Sequence, residues 1–316
     1  MEVQEQQQQI PKKIPKRVGA DTNIRVNYKN YITHYLNGLN SEIQTEEGKQ
    51  CLNALGLDST SHGTKLMLGK KIRVAKQIGT KSANGLAFLV TGRSKEIVMA
   101  MKIMANHSYN LPEIKYLETF SKMLEEGVSP NLPLCYKVIS CTLPCKDRKK
   151  LTSLSIMDQF VTTCPIITHK PYFLILNELA DGDLKMWLTS THTPMEMYNV
   201  IQQTLLSVAV MHSIGVSHCD AHYGNFLFHR ISPGGYWWYK LNGKDYYVKN
   251  VGVLFTSWDY GFTTEHGNEC SPDVVASPAT DVERLLYTII NGSLKNGNVS
   301  KDVIENVTKL KAISQS

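Results

Sequence analysis

The feature that most constrains this chain is a short polar loop between a helical pattern and an apolar, strand-like run. The loop, residues 218–225, reads His-Cys-Asp-Ala-His-Tyr-Gly-Asn, and an Asp-Tyr-Gly triplet follows at residues 259–261. Phosphoryl transfer needs one carboxylate to orient the acceptor hydroxyl, and a carboxylate with a carboxamide to hold the magnesium that bridges the nucleotide phosphates. Asp220 fits the first role, and Asp259 with Asn225 fits the second. The alternative is that these residues simply form turns.

Length and composition predict a soluble globular protein. The 316 residues, 42% of them hydrophobic and 20% charged, can bury a core as one large domain or two lobes. No apolar run approaches the ~20 residues of a membrane helix, and the N-terminus lacks a signal-peptide pattern. We therefore expect an intracellular protein of the cytoplasm or nucleus that has no membrane partner. The formal charge of +6 is modest for this length and does not favour nucleic-acid binding.

The cysteines predict reduced thiols. There are seven, an odd number, and none are paired at C-x-x-C spacing. Cys141 and Cys145 lack the second pair or the histidines that a zinc site requires. An intracellular compartment would keep such thiols reduced.

Two regions of different composition precede the main domain. Residues 1–24 contain a glutamine run and lysines interleaved with prolines, which favours a disordered tail, with a docking or localisation segment as the alternative. Apolar residues from Tyr28 to Ile43 recur at helical spacing and predict a helix that packs on the main domain. Residues 51–57 are interpreted as a second short helix. We therefore expect a helical extension over residues 25–70.

From residue 71 the pattern changes to short apolar runs separated by glycine and polar residues. Such runs are typical of antiparallel strands. Between two of them lies a turn with glycines at both ends, which allow backbone amides to approach phosphates. We predict that Ile78, Gly79 and Gly85 bind the nucleotide. Glycines that flank a hairpin turn are common, so this pattern is weak evidence by itself.

Lys102 stands in an otherwise apolar run, residues 97–104. A lysine in that position needs an anion, and we predict that it pairs with nucleotide phosphates. The alternative is an edge lysine that reaches solvent. Residues 110–112, Asn-Leu-Pro, indicate a helix start, so a carboxylate in that helix can hold the lysine. Glu113 is the first candidate for this carboxylate, and Glu118 is the second.

An interlobe hinge is predicted where an apolar run gives way to a flexible polar turn, within residues 172–184. We expect the backbone of Glu178, Leu179 and Ala180 to hydrogen-bond the adenine. A helical pattern over residues 195–214 then leads directly into the polar loop.

This ordered set of motifs resembles the eukaryotic protein-kinase superfamily from Lys71 to about Tyr287. Kinases write the loop as H-R-D-x-x-x-x-N and the triplet as D-F-G. The loop also resembles the D-L-H-W-G-N of haspin kinases. The insertion from Tyr236 to Gly243 is similar to haspin and to the kinases of large DNA viruses such as poxviruses and iridoviruses, which would place the chain in a host cell or virion.

The resemblance implies an α+β fold with two lobes and a truncated C-terminal lobe. Residues 71–178 would form the N-lobe and residues 179–316 the C-lobe, after the helical N-terminal extension. ATP and Mg²⁺ would be the cofactors. Lys102, Glu113, Asp220 and His222 would carry the catalytic roles.

The sequence departs from the kinase pattern in three places. Cys219 replaces an arginine that in many kinases binds a phosphorylated activation loop, so control through that contact is not expected. His222 replaces the lysine that usually neutralises the transferred phosphate, and it serves either as a donor to that phosphate or as a structural donor within the loop. No A-P-E motif precedes the helix predicted at residues 281–286, which reduces the surface available to a docked peptide.

The sequence thus predicts transfer of the ATP γ-phosphoryl group to a serine or threonine of a protein substrate. One alternative is a small-molecule kinase of the aminoglycoside or choline type, whose loop looks similar. The other is a pseudokinase that only binds partners. A pseudokinase is expected to lose its metal site, whereas Asp220, Asn225 and Asp259 are all present. The oligomeric state is not predicted.

Overall fold

A computed structural model describes residues 22–38, 52–55, 65–69, 71–82, 85–92, 97–142, 171–271, 274–296 and 301–314. These residues form a two-lobed, kinase-like α+β fold, which confirms the predicted fold class. Most of the predicted tail lies outside the described residues, as does the end of the first predicted helix. None of the described helices is long and apolar enough to cross a membrane.

The upper lobe is built on a seven-stranded antiparallel sheet with the order β1-β2-β3-β4-β5-β7-β6. Side chains along β4 alternate between half-buried and buried, as expected of a strand with one face against a core. The strands are β1 (Leu52–Leu55), β2 (Lys65–Leu68), β3 (Ile72–Ser82), β4 (Gly85–Gly92), β5 (Val98–Ala105), β6 (Cys135–Thr142) and β7 (Pro171–Asn177).

The short helix predicted over residues 51–57 is wrong. Leu52–Leu55 forms strand β1, which pairs with β2 and places Leu52 opposite Leu68. A short apolar run has no periodicity that separates a strand from a buried helix, so only the neighbouring strand decides its conformation.

Two helices, α1 (Thr22–Leu36) and α2 (Leu111–Glu125), pack against the upper sheet. Helix α1 confirms the helix predicted from Tyr28 onward and buries Ile32 and Leu36 completely. Helix α2 begins where predicted, with Pro112 in its first turn. Asn110, just before it, donates from Nδ2 to the Ala105 carbonyl at 2.7 Å. This bond ties the start of α2 to the end of β5.

The lower lobe is mainly helical and has its own hydrophobic core. Its longest helix, α4, begins with a capping box between Thr193 and Glu196 and ends before Gly215, whose φ of +78° suits glycine. The helices are α3 (Leu184–Trp187), α4 (Pro194–Ser213), α5 (Pro278–Asn296) and α6 (Lys301–Ser314). The strands are β8 (Gly182–Asp183), β9 (Val216–Ser217), β10 (Phe226–Arg230), β11 (Tyr236–Leu241), β12 (Lys244–Lys249), β13 (Val253–Ser257), β14 (Thr264–Glu265), β15 (Glu269–Ser271) and β16 (Val274–Val275).

The antiparallel pair β10 and β13 brings the two polar motifs together. Phe226 at the start of β10 lies opposite Ser257 at the end of β13. Asn225 precedes the first strand and Trp258 follows the second, and the Trp258 N–H donates to the Asn225 carbonyl at 2.8 Å. The insertion forms the β11–β12 hairpin at the other end of this pair, so it leaves the motifs adjacent.

Candidate active site

Lys102, on β5, lies between two carboxylates. Its Nζ contacts Glu113 in the first turn of α2 and lies 3.0 Å from Asp259 Oδ1. Lys102 and Glu113 are both buried, whereas Glu118 is exposed. Burial lowers the pKa of Lys102, but the negative charges of Glu113 and Asp259 outweigh it and hold that pKa above its usual value. The charged ammonium therefore links β5, α2 and the Asp-Tyr-Gly triplet.

Asp259 is held in an unusual backbone conformation. Its φ of +62° lies in the left-handed region that non-glycine residues rarely adopt, so surrounding contacts must maintain it. The next residue, Tyr260, is buried and donates its hydroxyl to the Ser257 carbonyl at 2.9 Å. The Tyr260 ring lies 4.8 Å from the Phe120 ring of α2 and 5.5 Å from the His218 ring, between centroids. This packing couples the position of Asp259 to α2 and to the polar loop.

Asp220 receives donors on both carboxylate oxygens. Asn225 Nδ2 donates to Asp220 Oδ2 at 3.0 Å and to its carbonyl at 2.9 Å, while Arg284 Nη2 contacts Oδ1. Burial raises the pKa of Asp220, but the hydrogen bond and charge of His222 oppose it. With the charges of Arg284 and His218 added, the pKa falls below its ordinary value. The carboxylate therefore stays ionised and able to accept a hydrogen bond.

His222 faces the loop through both ring nitrogens. Its Nδ1 accepts from the Gly224 N–H at 2.9 Å, and its Nε2 lies 3.5 Å from Asp220 Oδ2. A Cβ at Gly224 would lie 2.7 Å from the imidazole, so glycine is required beside this ring. This geometry suits the structural donor of the two roles predicted for His222.

Asp281, in the first turn of α5, holds the backbone of the polar loop. Its fully buried carboxylate accepts from the N–H groups of His218 at 2.7 Å and Cys219 at 2.8 Å. His212 Nε2, on α4, lies 3.0 Å from the same carboxylate. The sequence marked Asp281 only as the start of a helix, so its contact with the loop was missed.

Cys219 forms a disulfide bond with Cys270 of β15, which corrects the prediction of reduced thiols for these two residues. Their Cα atoms lie 5.4 Å apart, within the usual disulfide range. The two cysteines are 51 residues apart in sequence, and only the folded chain brings them together. Cys135 is a free thiol, and burial raises its pKa to about 12.

Arg25 of α1 forms an ion pair with Glu178, the first residue of the predicted hinge. Arg25 donates to both Glu178 carboxylate oxygens, from Nε at 3.0 Å and from Nη2 at 2.7 Å. It also donates to the carbonyls of Pro130 at 2.6 Å and Leu132 at 3.0 Å. Burial raises the pKa of Glu178, but the Arg25 charge outweighs it and lowers that pKa. Arg25 stands between an isoleucine and a valine, before the apolar pattern that predicted helix α1, so no motif indicated its role.

The three hinge residues follow directly after β7. The Glu178 N–H donates to the Leu134 carbonyl at 3.1 Å and is therefore not free for a ligand. The Ala180 N–H has no hydrogen-bond acceptor among the described residues, and Leu179 is partly exposed beside it. Trp258 and Leu227 line a small cavity next to Glu178.

The predicted nucleotide-binding glycines lie inside strands. Ile78 and Gly79 belong to β3, where Gly79 has a φ of +68° beside an irregularity in the ladder with β4. Gly85 opens β4, and a Cβ there would lie 2.5 Å from the Ile103 carbonyl oxygen. Close approach to β5 therefore explains Gly85 without a ligand, and the phosphate-binding role stays a prediction.

Asn225 and Asp259 provide oxygen donors of the kind that Mg²⁺ binds. Asn225 donates through Nδ2, which leaves its Oδ1 available, and Asp259 contributes a carboxylate. Across the described ranges, no group of three or more His, Cys, Asp or Glu residues is arranged to hold a metal. Mg²⁺ usually takes one or two carboxylates and completes its shell with phosphates and water. The two residues therefore fit Mg²⁺ that arrives with a nucleotide.

Comparison with known proteins gives a distant kinase relationship. No family model matches the chain. The chain is 34% identical over 92 residues to the "Putative serine/threonine-protein kinase 019R" of Frog virus 3 (isolate Goorha). That match covers 28% of this chain and 11% of the viral protein, so the chain spans only a small part of this relative. The chain therefore has a protein-kinase-like relationship over part of its length, and the narrower resemblance to haspin stays a prediction.

Among solved structures, the chain is similar to the crystal structure of the PF14_0431 kinase domain. The sequence identity is 10% and the TM-score 0.41, with 70% of this chain and 58% of that chain covered. A likeness this weak carries no argument about function.

Proposed function

We propose that this chain is an ATP-dependent protein kinase that phosphorylates serine or threonine. The observation that carries this proposal is the buried contact of Lys102 with Glu113 and Asp259, together with a third carboxylate, Asp220, on the polar loop. A positively charged side chain fixed in a cleft between lobes is suited to bind nucleotide phosphates. Asn225 connects the two carboxylate regions, because its side chain holds Asp220 and its carbonyl binds Trp258.

Each residue has a separate role in the proposed reaction. Lys102 orients the nucleotide phosphates, while the Ala180 N–H and the Glu178 carbonyl hydrogen-bond the adenine. Asp220 orients the acceptor hydroxyl and accepts its proton. Asn225 and Asp259 would hold magnesium, which would supply positive charge that neutralises the phosphate oxygens. His222 keeps Gly224 and Asp220 in place within the loop.

The surface beside the polar loop supports a polypeptide acceptor. The disulfide bond to Cys219 fixes strand β15, and its partner strand β16 exposes Val274 and Val275. Phe262, just after the Asp-Tyr-Gly triplet, is 53% exposed. Apolar side chains of this kind can contact an extended peptide, whereas an aminoglycoside acceptor would favour acidic contacts. The description of the frog virus relative is the support for serine and threonine.

The test is a transfer assay with γ-labelled ATP, Mg²⁺ and separate panels of acceptors. One panel holds mixed proteins and peptides, and the other holds aminoglycosides, choline and related amines. We expect label on serine and threonine of the proteins, and far slower labelling with Asp220→Asn. Label on the small molecules alone would reject the protein-kinase proposal, and ATP binding without transfer to any acceptor would indicate a pseudokinase.

Lys102→Met is expected to reduce turnover strongly and to change how stability depends on pH. The Lys102 charge lowers the pKa of Glu113, so its loss leaves that buried carboxyl with a pKa raised further by burial. A raised folded-state pKa makes folding favour the protonated form. The stability of the variant should therefore be greatest below the unfolded pKa of Glu113 and should fall as pH rises through the folded value.

Thermal unfolding across a pH series and single-turnover assays measure both effects of Lys102→Met. Lys76→Met is the matched control, because Lys76 is exposed on β3 of the same lobe. Turnover that survives in Lys102→Met, with the same pH slope as the control, would contradict the role proposed for Lys102.

A further inference from the structure

Arg284 contacts the proposed catalytic carboxylate, Asp220, and lies outside the kinase-like sequence motifs. Its Nη2 contacts Asp220 Oδ1, and its Nη1 lies 3.4 Å from the Cys219 carbonyl oxygen. The side chain is 48% exposed, so it reaches the loop from the open side of the cleft.

Arg284 and Asp281 act from the same face of α5. They are three residues apart, a spacing that puts side chains on one side of a helix. Asp281 accepts from the backbone of His218 and Cys219, while Arg284 donates to the side chain of the next residue, Asp220. One turn of α5 therefore sets both the backbone path of the loop and the direction of its carboxylate.

The two oxygens of Asp220 are held by different elements. Asn225, within the loop, donates to Oδ2, and Arg284, from α5, contacts Oδ1. Donors from two directions restrict rotation of the carboxylate about both side-chain torsions. The φ of +62° at Cys219 shows that the loop backbone is also held in a restricted conformation. A reactive group that moves a short distance from its productive position reacts more slowly, so contacts that fix the Asp220 carboxylate can protect the rate of transfer.

We propose that Arg284 is a positioning residue for phosphoryl transfer, which orients the Asp220 carboxylate toward the acceptor hydroxyl. This inference rests on the proposed kinase function and adds to it a residue on α5. An exposed ion pair contributes little to stability, so the effect of Arg284 should fall on turnover and not on folding.

The experiment compares Arg284→Met with Arg284→Lys in single-turnover transfer from ATP, with enzyme in excess so that slow rates are measurable. We expect Arg284→Met to lose roughly 10²-fold in the rate of transfer, with the affinity for Mg-ATP and the melting temperature unchanged. Arg284→Lys should recover part of the rate, because it keeps the charge but loses the fork of donors. Arg230→Met is the matched control, since Arg230 is an exposed arginine on β10 of the same lobe. If Arg284→Met fails to fold, Arg284→Gln takes its place.

A double variant separates positioning through Asp220 from an independent role. If Arg284 acts through Asp220, Arg284→Met should cost nothing further in the Asp220→Asn background. The inference would be wrong if the double variant lost rate by the product of the two single losses, or if Arg284→Met kept the wild-type rate. Neither result would contradict the proposed kinase function, because the wild-type protein would still be active. A wild-type protein that transfers phosphate to no acceptor would instead overturn the proposed function itself.

Discussion

Replacing Asp259 by asparagine is expected to abolish transfer at ordinary magnesium concentrations. The substitution removes a hard anionic oxygen from the proposed metal site, so more magnesium should be needed for any remaining activity. It also removes one of the two charges that hold Lys102. The affinity for ATP should therefore fall as well, and a magnesium titration of turnover and ATP affinity measures both effects.

Asp220→Asn provides the contrast. It keeps the shape of the side chain but removes the charge that orients the hydroxyl and accepts its proton, a role worth roughly 10²–10⁴ in rate. The affinity for Mg-ATP and the magnesium requirement should stay as in the wild type. Losses that are equal in the two variants and independent of magnesium would reject this division of roles. Full activity in either variant would reject the kinase proposal.

Arg25→Met should produce a large loss of stability. Arg25 is 1% exposed and provides the ion pair of Glu178, whose side chain is 17% exposed, so its removal leaves a largely buried carboxylate without its cation. Breaking such a pair on one side costs about 3–5 kcal/mol. Two backbone carbonyls, of Pro130 and Leu132, lose a donor as well. Urea unfolding gives the change in the free energy of unfolding.

Lys29→Met is the matched control for Arg25→Met. Lys29 lies on the same helix and contacts Glu125 of α2, but this pair is partly exposed. We expect a cost of about 0–1 kcal/mol from a pair of this kind. Adding Glu178→Gln to Arg25→Met should restore part of the lost stability, because the unpaired charge is then gone. A similar cost for Arg25→Met and Lys29→Met would show that the hinge does not depend on the buried pair.

The candidate site is predictable from sequence where its residues act at short spacing. Asp220 and Asn225 lie in the same polar loop. Lys102 and Glu113 are predicted because an apolar strand that contains a lysine is followed by the start of a helix. These residues can be recognised within a short stretch of sequence, because a lysine in an apolar strand and an acid in the first turn of a helix are both unusual in their local context. The strands of the upper sheet from residue 71 onward are predictable from short apolar runs separated by glycine and polar residues, whereas β1 and β2 lie in the extension that was predicted to be helical.

The contacts missed in the sequence are all between distant segments. Arg25 and Glu178 are 153 residues apart, and Cys219 and Cys270 are 51 apart. Neither member of these pairs is unusual in its own segment, so no local pattern indicates the partner. Arg284 was missed for the same reason. The conformation of strand β1 was predicted wrongly because four residues are too few to show a period, and pairing with β2 determines their conformation.

Trp258 is a fluorescent side chain that lies beside the predicted hinge. The indole is partly buried, stands directly before Asp259, and lines the cavity beside the hinge with Leu227. Trp187 and Trp237 are buried elsewhere, and Trp238 lies on the exposed hairpin. If a nucleotide binds between the lobes as proposed, we expect it to change the polarity around Trp258 and to leave the surroundings of the other tryptophans nearly constant. Intrinsic fluorescence can therefore follow nucleotide binding without a label, separately from phosphate transfer.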